Sequence, residues 1–215
     1  SETVVPFRRF IEWYVEQPSA ESWWREQLRS LVAPAGVCDA LGVTTERRDS
    51  GRRTVELGAS LSERLRDFAR QRGVTLSTLV QAALALSLAR YSDRPQVIFG
   101  VTVAGRPPEL VGSERMLGPF INSLPVWVDV PLEVTLSDWL VEVQRRSSEL
   151  RQLEQTPLQR IQEWAGKPGR SLFDCLIVFE NYPVDDELTR SSVGAVAFEA
   201  VDRTHYPLTL TVQIG

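Results

Sequence analysis

The chain has 215 residues, enough to bury a real core, and its 24 basic residues are scattered among 28 acidic ones for a net charge of −4, which excludes the concentrated basic face of a nucleic-acid binder. One histidine, His205, and two cysteines, Cys38 and Cys175, exclude a disulfide scaffold, a His-rich metal centre and any mechanism that needs two histidines, and they point to a reducing cytoplasm. No apolar run reaches the length of a bilayer crossing, and the N-terminus lacks a signal peptide's charged-then-apolar pattern.

From the N-terminus, residues 6–17 place Phe7, Phe10, Ile11 and Tyr14 on one helical face, with Pro6 suited to the first turn. Pro18 breaks that helix, and Ser19 or Ser22 caps a second one through Trp23, Trp24, Leu28 and Leu31. Residues 32–50 are irregular, and Arg52–Leu57 alternates weakly enough to suggest a short strand. Ser60-Leu61-Ser62-Glu63 has the form of a capping box, opening a helix that buries Leu61, Leu65, Phe68 and Ala69 and stops at Gly73. Thr75–Arg90 is apolar nearly all round, which predicts a helix enclosed in the interior.

Gln96–Val103 is β-branched and apolar on both faces, the pattern of a strand inside a sheet rather than at its edge. Pro107-Pro108 stops it, and a second strand follows over about 120–128. Thr135 or Ser137 caps a helix facing inward with Leu136, Trp139, Leu140, Val143, Ser147 and Leu150; a shorter one runs from Pro157 through Leu158, Ile161 and Trp164 to Gly166. Ser171–Glu180, Val193–Val201 and Tyr206–Ile214 read as three further strands. The sum is an α/β protein, a mixed β-sheet with helices packed against it, in one or two globular units.

The wording of several segments says more than their periodicity. GVTVAGRPPEL followed by MLGPFINSLPVWV resembles the VSGRPPEL and MVGLFINTLPVRV region of nonribosomal peptide synthetase condensation domains. TLSTLVQAALALSLARYS, TPLQRIQEWAGKPGRSLFDCLIVFENYP and THYPLTLTV resemble other segments of that family, in the same order. The resemblance implies that residues 1–215 are a single domain, the C-terminal subdomain of a chloramphenicol acetyltransferase-like fold, one wall of a tunnel in which carrier-bound substrates meet. It also implies peptide-bond formation between aminoacyl or peptidyl thioesters. Expected partners are carrier-protein domains, whose phosphopantetheine holds the substrates, and an N-terminal lobe; no cofactor, metal, nucleic acid or membrane is expected for this chain. The family's HHxxxDG motif does not occur in the sequence, so the chain alone is expected to be inactive. A non-catalytic relative, or an epimerisation or cyclisation type that binds carrier or tailoring proteins, is the alternative.

Four residues follow as candidates. Asn122 and Ser123 match the family's FINT segment, and strand alternation sends them to opposite faces. Asn122 is read either as a tunnel-lining substrate contact or as satisfying backbone groups where Leu124-Pro125 interrupts the ladder. Ser123 suits a substrate hydrogen bond better than nucleophilic attack, since no base is at hand to activate it. Arg106 is expected to form a buried or interlobe salt bridge, and Asp174, which interrupts an apolar strand, must find a partner in a structural role. The polar stretch from Pro183 to Val201 is expected to contain a crossover that reaches the other lobe.

Overall fold

The computed structural model describes residues 5–31, 36–42, 51–180 and 204–214. Its centre is a four-stranded sheet of β1 (Gln96–Val103), β2 (Asn122–Asp129), β3 (Cys175–Glu180) and β4 (Leu208–Gln213) in the order β2-β1-β3-β4. β1 runs antiparallel to β2 and parallel to β3, and β3 parallel to β4, so the sheet is mixed. The continuous apolar stretch of β1 fits its interior place: Val97–Val101 are all buried, as a strand covered on both faces requires. The expected strand over 193–201 and the crossover assigned to 183–201 lie outside the described residues.

Seven helices occur among the described residues: α1 (Arg8–Glu16), α2 (Glu21–Arg29), α3 (Val37–Leu41), α4 (Ala59–Arg72), α5 (Leu76–Ser92), α6 (Leu136–Arg151) and α7 (Leu158–Trp164). Caps set several ends. Thr75 and Thr135 accept from the backbone N–H of Thr78 and Asp138, opening α5 and α6, and Gly73 closes α4 in the left-handed conformation at φ 66°. One core joins sheet and helices, with Trp24, Phe99, Leu140, Ile161 and Ile177 almost wholly enclosed. Trp139 ties α6 to the end of β2 by donating Nε1 to the Asp129 carbonyl at 2.7 Å. A polar seam joins α5 to α6: Thr78 donates to Gln144 at 2.6 Å and Ser147 to Gln81 at 3.1 Å. No single helix among the described residues is long and apolar enough to cross a membrane.

Four local expectations are corrected. Residues 52–57 form no strand; they are exposed coil, because weak alternation without a neighbouring ladder does not hold a strand. The capping box at Ser60 does not form: α4 starts after Gly58 with no side-chain cap, and Leu61 is exposed. The helix from Leu76 is not enclosed all round, since Thr78, Gln81, Ala82, Ala85 and Leu88 face inward while Leu86 is exposed. Pro125 does not interrupt the ladder. It stands opposite Gly100 in an unbroken register, because among the described residues β2 is an edge strand whose outer side does not need the missing N–H.

Candidate functional site

The candidate site grows out of the connection between β1 and β2. Gly105 turns the chain at φ 63°, in a place where any Cβ would lie 1.9 Å from the Phe120 carbonyl oxygen, so the turn requires glycine. Arg106 then folds back over its own loop. Its Nη1 donates to the carbonyls of Ser113 and Met116, the latter at 3.0 Å, and its guanidinium lies 4.2 Å from the centroid of the Phe120 ring. Among the described residues Arg106 forms no salt bridge: the fork that suits a carboxylate here gathers carbonyls and an aromatic face. The Ser113 hydroxyl adds a bond to the Pro107 carbonyl at 2.9 Å, closing the loop on itself.

The N-terminal helix is fastened to this loop. Phe7 and Phe10 stand 5.0 and 4.8 Å from the Phe120 ring, and Phe7 fits against Gly118 so closely that a Cβ there would sit 2.1 Å from the ring. α1 buries no residue fully, so these aromatic contacts are its main attachment.

Asn122 and Ser123 open β2, in register with Val103 and Thr102. Every hydrogen-bonding group of the Asn122 side chain is directed at backbone. Nδ2 donates to the carbonyls of Glu154 and Thr156 at 2.9 and 2.7 Å, and Oδ1 accepts from the Ser123 N–H at 2.9 Å. It thereby holds the connection between α6 and α7 beside the start of the strand. The Ser123 hydroxyl, half-buried, has no hydrogen-bond partner among the described residues. Such a hydroxyl can donate to or accept from a ligand, but nothing pairs with it as a base. Glu154, half-buried in the same connection, has its carboxyl held above the usual carboxylate range by burial, with Glu109 adding to the effect and Arg151 opposing it.

Arg106, Asn122 and Ser123 thus come together around one loop; Asp174 stands elsewhere. Its two carboxylate oxygens accept from the backbone N–H of Val37 and Cys38, both at 2.7 Å, at the start of α3. Beside it, burial and then the Asp174 charge push the Cys175 thiol up to about 12, so it stays a neutral core group. His205 lies exposed in a turn, its ring 4.1 Å from that of Tyr206. Among the described residues no group of three His, Cys, Asp or Glu side chains could hold a metal ion. Sequence reasoning did not mark Glu154, Thr156, Phe7 or Gly118 as parts of this region. Their partners lie far away in the chain, and no local pattern signals such contacts.

Comparison with known proteins gives a consistent picture. A family model described as "Condensation domain" matches residues 1–214. The chain is 41% identical over 221 residues to a linear gramicidin synthase protein of Brevibacillus parabrevis, a match covering 99% of this chain and 4% of that protein. It is 38% identical over 214 residues to chondramide synthase cmdD of Chondromyces crocatus, covering 98% of this chain and 6% of that one. Among solved structures, a four-domain nonribosomal peptide synthetase bound to AMP and glycine superposes with a TM-score of 0.66 at 18% identity, over 82% of this chain and 14% of that one. The first condensation domain of the CDA synthetase gives 0.63 at 19%, over 80% of this chain and 38% of its own. The likeness to those two structures carries the fold. The chain spans between 3% and 17% of the length of these and similar curated relatives.

Proposed function

The chain belongs to the condensation-domain family, and we propose that it is the C-terminal subdomain of a nonribosomal peptide synthetase condensation domain, contributing one wall of the site where two carrier-bound thioesters are joined. The observation that carries this reading is the family match over residues 1–214, with a relative 41% identical along 99% of the chain. In the reaction, the amine of one aminoacyl thioester attacks the carbonyl of the other, a C–N bond forms and the C–S bond to the donor carrier breaks. Substrates arrive on the phosphopantetheine of carrier proteins in the cytoplasm. The histidine that positions or deprotonates the amine belongs to the HHxxxDG motif of an N-terminal lobe, and this sequence has no such motif.

Within that frame the residues divide by their contacts. Ser123, with its hydroxyl uncommitted, is the substrate-facing group. Asn122 supports it by accepting its backbone N–H and holding the connection at 154–156. Arg106 keeps the β1–β2 loop folded, and Asp174 anchors α3.

The test compares the 215-residue chain with the same chain fused behind a family N-terminal lobe that contains HHxxxDG. Both are supplied with two aminoacyl-loaded carrier proteins. The expected result is dipeptidyl thioester from the fusion and none above a protein-free control from the chain. Turnover by the chain alone overturns its place as an incomplete half, and a folded fusion that makes no dipeptide overturns the condensation reading.

A further inference from the structure

Between α2 and α6, against the indole of Trp127, lies a cleft of about 220 Å³ lined by Trp23, Gln27, Trp127, Arg145, Arg146 and Glu149. No residue of it belongs to the Arg106, Asn122 and Ser123 set. Its donors outnumber their acceptors. Arg146 gives Nη2 to Asp129 at 3.1 Å and Nε to Glu142 at 3.3 Å, while its buried Nη1 has no acceptor among the described residues. Trp127 is 4% exposed, yet neither its indole N–H nor that of Trp23 meets an acceptor among the described residues. Two nearby tryptophans are served: Trp24 donates to Thr156 Oγ1 and Trp139 to the Asp129 carbonyl. A buried donor without an acceptor is costly, and Arg146 Nη1 is the one such side-chain atom among the described residues, while the two unpaired indole N–H groups keep contact with solvent.

Charge selects the acceptor. Arg145 and Arg146 already face Glu142, Glu149 and Asp129, so two cations answer three carboxylates and a further anion is opposed. A neutral carbonyl meets no such opposition. The Gln27 amide oxygen and the Glu149 carboxylate add acceptors suited to an N–H, beside two aromatic rings. Donors for a C=O together with acceptors for an N–H describe a peptide group. We propose that this cleft binds one amide of an extended polypeptide segment, its carbonyl received by Arg146 Nη1 and the Trp127 indole N–H. The inference stands on this geometry alone and does not depend on the condensation reading.

The test is a ¹⁵N–¹H titration of the 215-residue chain with N-acetylglycine N-methylamide, and separately with acetate at matched ionic strength. The indole signals are assigned through Trp→Phe variants. Saturable shifts of the Trp23 and Trp127 indole N–H signals with the amide, and little response to acetate, are expected. Arg146→Lys loses the fork donor and weakens binding by ~10-fold. Gln27→Ala, at a half-buried helix position with no other hydrogen bond from its side chain, weakens it as well and keeps the test open if the Arg146 variant does not fold. Absence of any saturable shift, with water alone filling the cleft, overturns the proposal. So does a stronger response to acetate, which makes the cleft an anion site, or unchanged affinity in both variants.

Discussion

Asn122 commits both donors and its acceptor to backbone groups, two of them more than thirty residues away. Asn122→Ala leaves the carbonyls of Glu154 and Thr156 without a donor, at a cost of about 2–3 kcal/mol, which lowers the melting temperature by roughly 5–10 °C in a domain of this size. Ser123→Ala removes a hydroxyl with no partner among the described residues, so the melting temperature is expected to move by less than about 2 °C while condensation by the complete domain slows. A melting loss in Ser123→Ala as large as that of Asn122→Ala would falsify its substrate-facing assignment. Glu154 gives a pH-dependent counterpart. Its folded pKa lies above the unfolded one, so its favourable contribution is complete below the unfolded value and is lost as pH rises through the folded value. Glu154→Gln keeps the side chain neutral throughout. It is expected to melt about 1–3 °C above the unsubstituted chain at pH 7, with the advantage vanishing below the carboxylate range; thermal melts across acid and neutral pH decide it, and a constant offset at every pH refutes the assignment.

Elements in this fold meet through places where a side chain fits against bare backbone. Gly100, in the middle of β1, faces the ring of Phe173, and a Cβ there would sit 2.2 Å from the nearest ring carbon. Gly100→Ala therefore forces the ring aside and is expected to cost ~1–3 kcal/mol. Phe173→Leu should recover part of that loss, and a double-mutant cycle on urea midpoints reads the coupling; strict additivity argues that the two residues do not constrain each other. Contacts of this kind mark where the sequence stops being legible. The buried stretch Val97–Val101 announced an interior strand, and the spacing of Leu136, Trp139, Leu140, Val143, Ser147 and Leu150 announced the inward face of α6 except at its first turn, where Leu136 is exposed, because burial repeats with the period of the element. Leu76–Ser92 was misleading for the complementary reason: composition measures how apolar a helix is, whereas neighbours decide which face is covered, and Leu86 is left exposed. Asn122 and Ser123 were recognisable by resemblance to a family segment. That Asn122 reaches 154 and 156, or that Phe7 closes over Gly118, depends on how distant segments return to one place, and no local pattern encodes that.

At the scale of the whole molecule, the loop that Arg106 organises presents its apolar side chains outward. Val111, Leu117 and Ile121 are 88%, 81% and 67% exposed within eleven residues, whereas Met116 and Phe120 of the same loop are buried. Large apolar side chains exposed on a folded, internally bonded loop are open to being covered by another body. Under the condensation reading that body is the N-terminal lobe, and the prediction follows from comparing two contexts. In the 215-residue chain, Leu117→Ser exchanges one exposed group for another, so the melting temperature is expected to stay within about 2 °C and dye binding to exposed apolar surface to fall. In the fusion with the N-terminal lobe, the same substitution removes apolar area buried at the contact, at about 1.5–3 kcal/mol for a fully covered leucine, and both melting temperature and condensation rate fall. Ile121→Ser should behave alike, being in the same loop. Equal melting shifts in the two contexts would mean that nothing covers the loop in the complete domain, and that its exposed apolar groups have no part in joining the lobes.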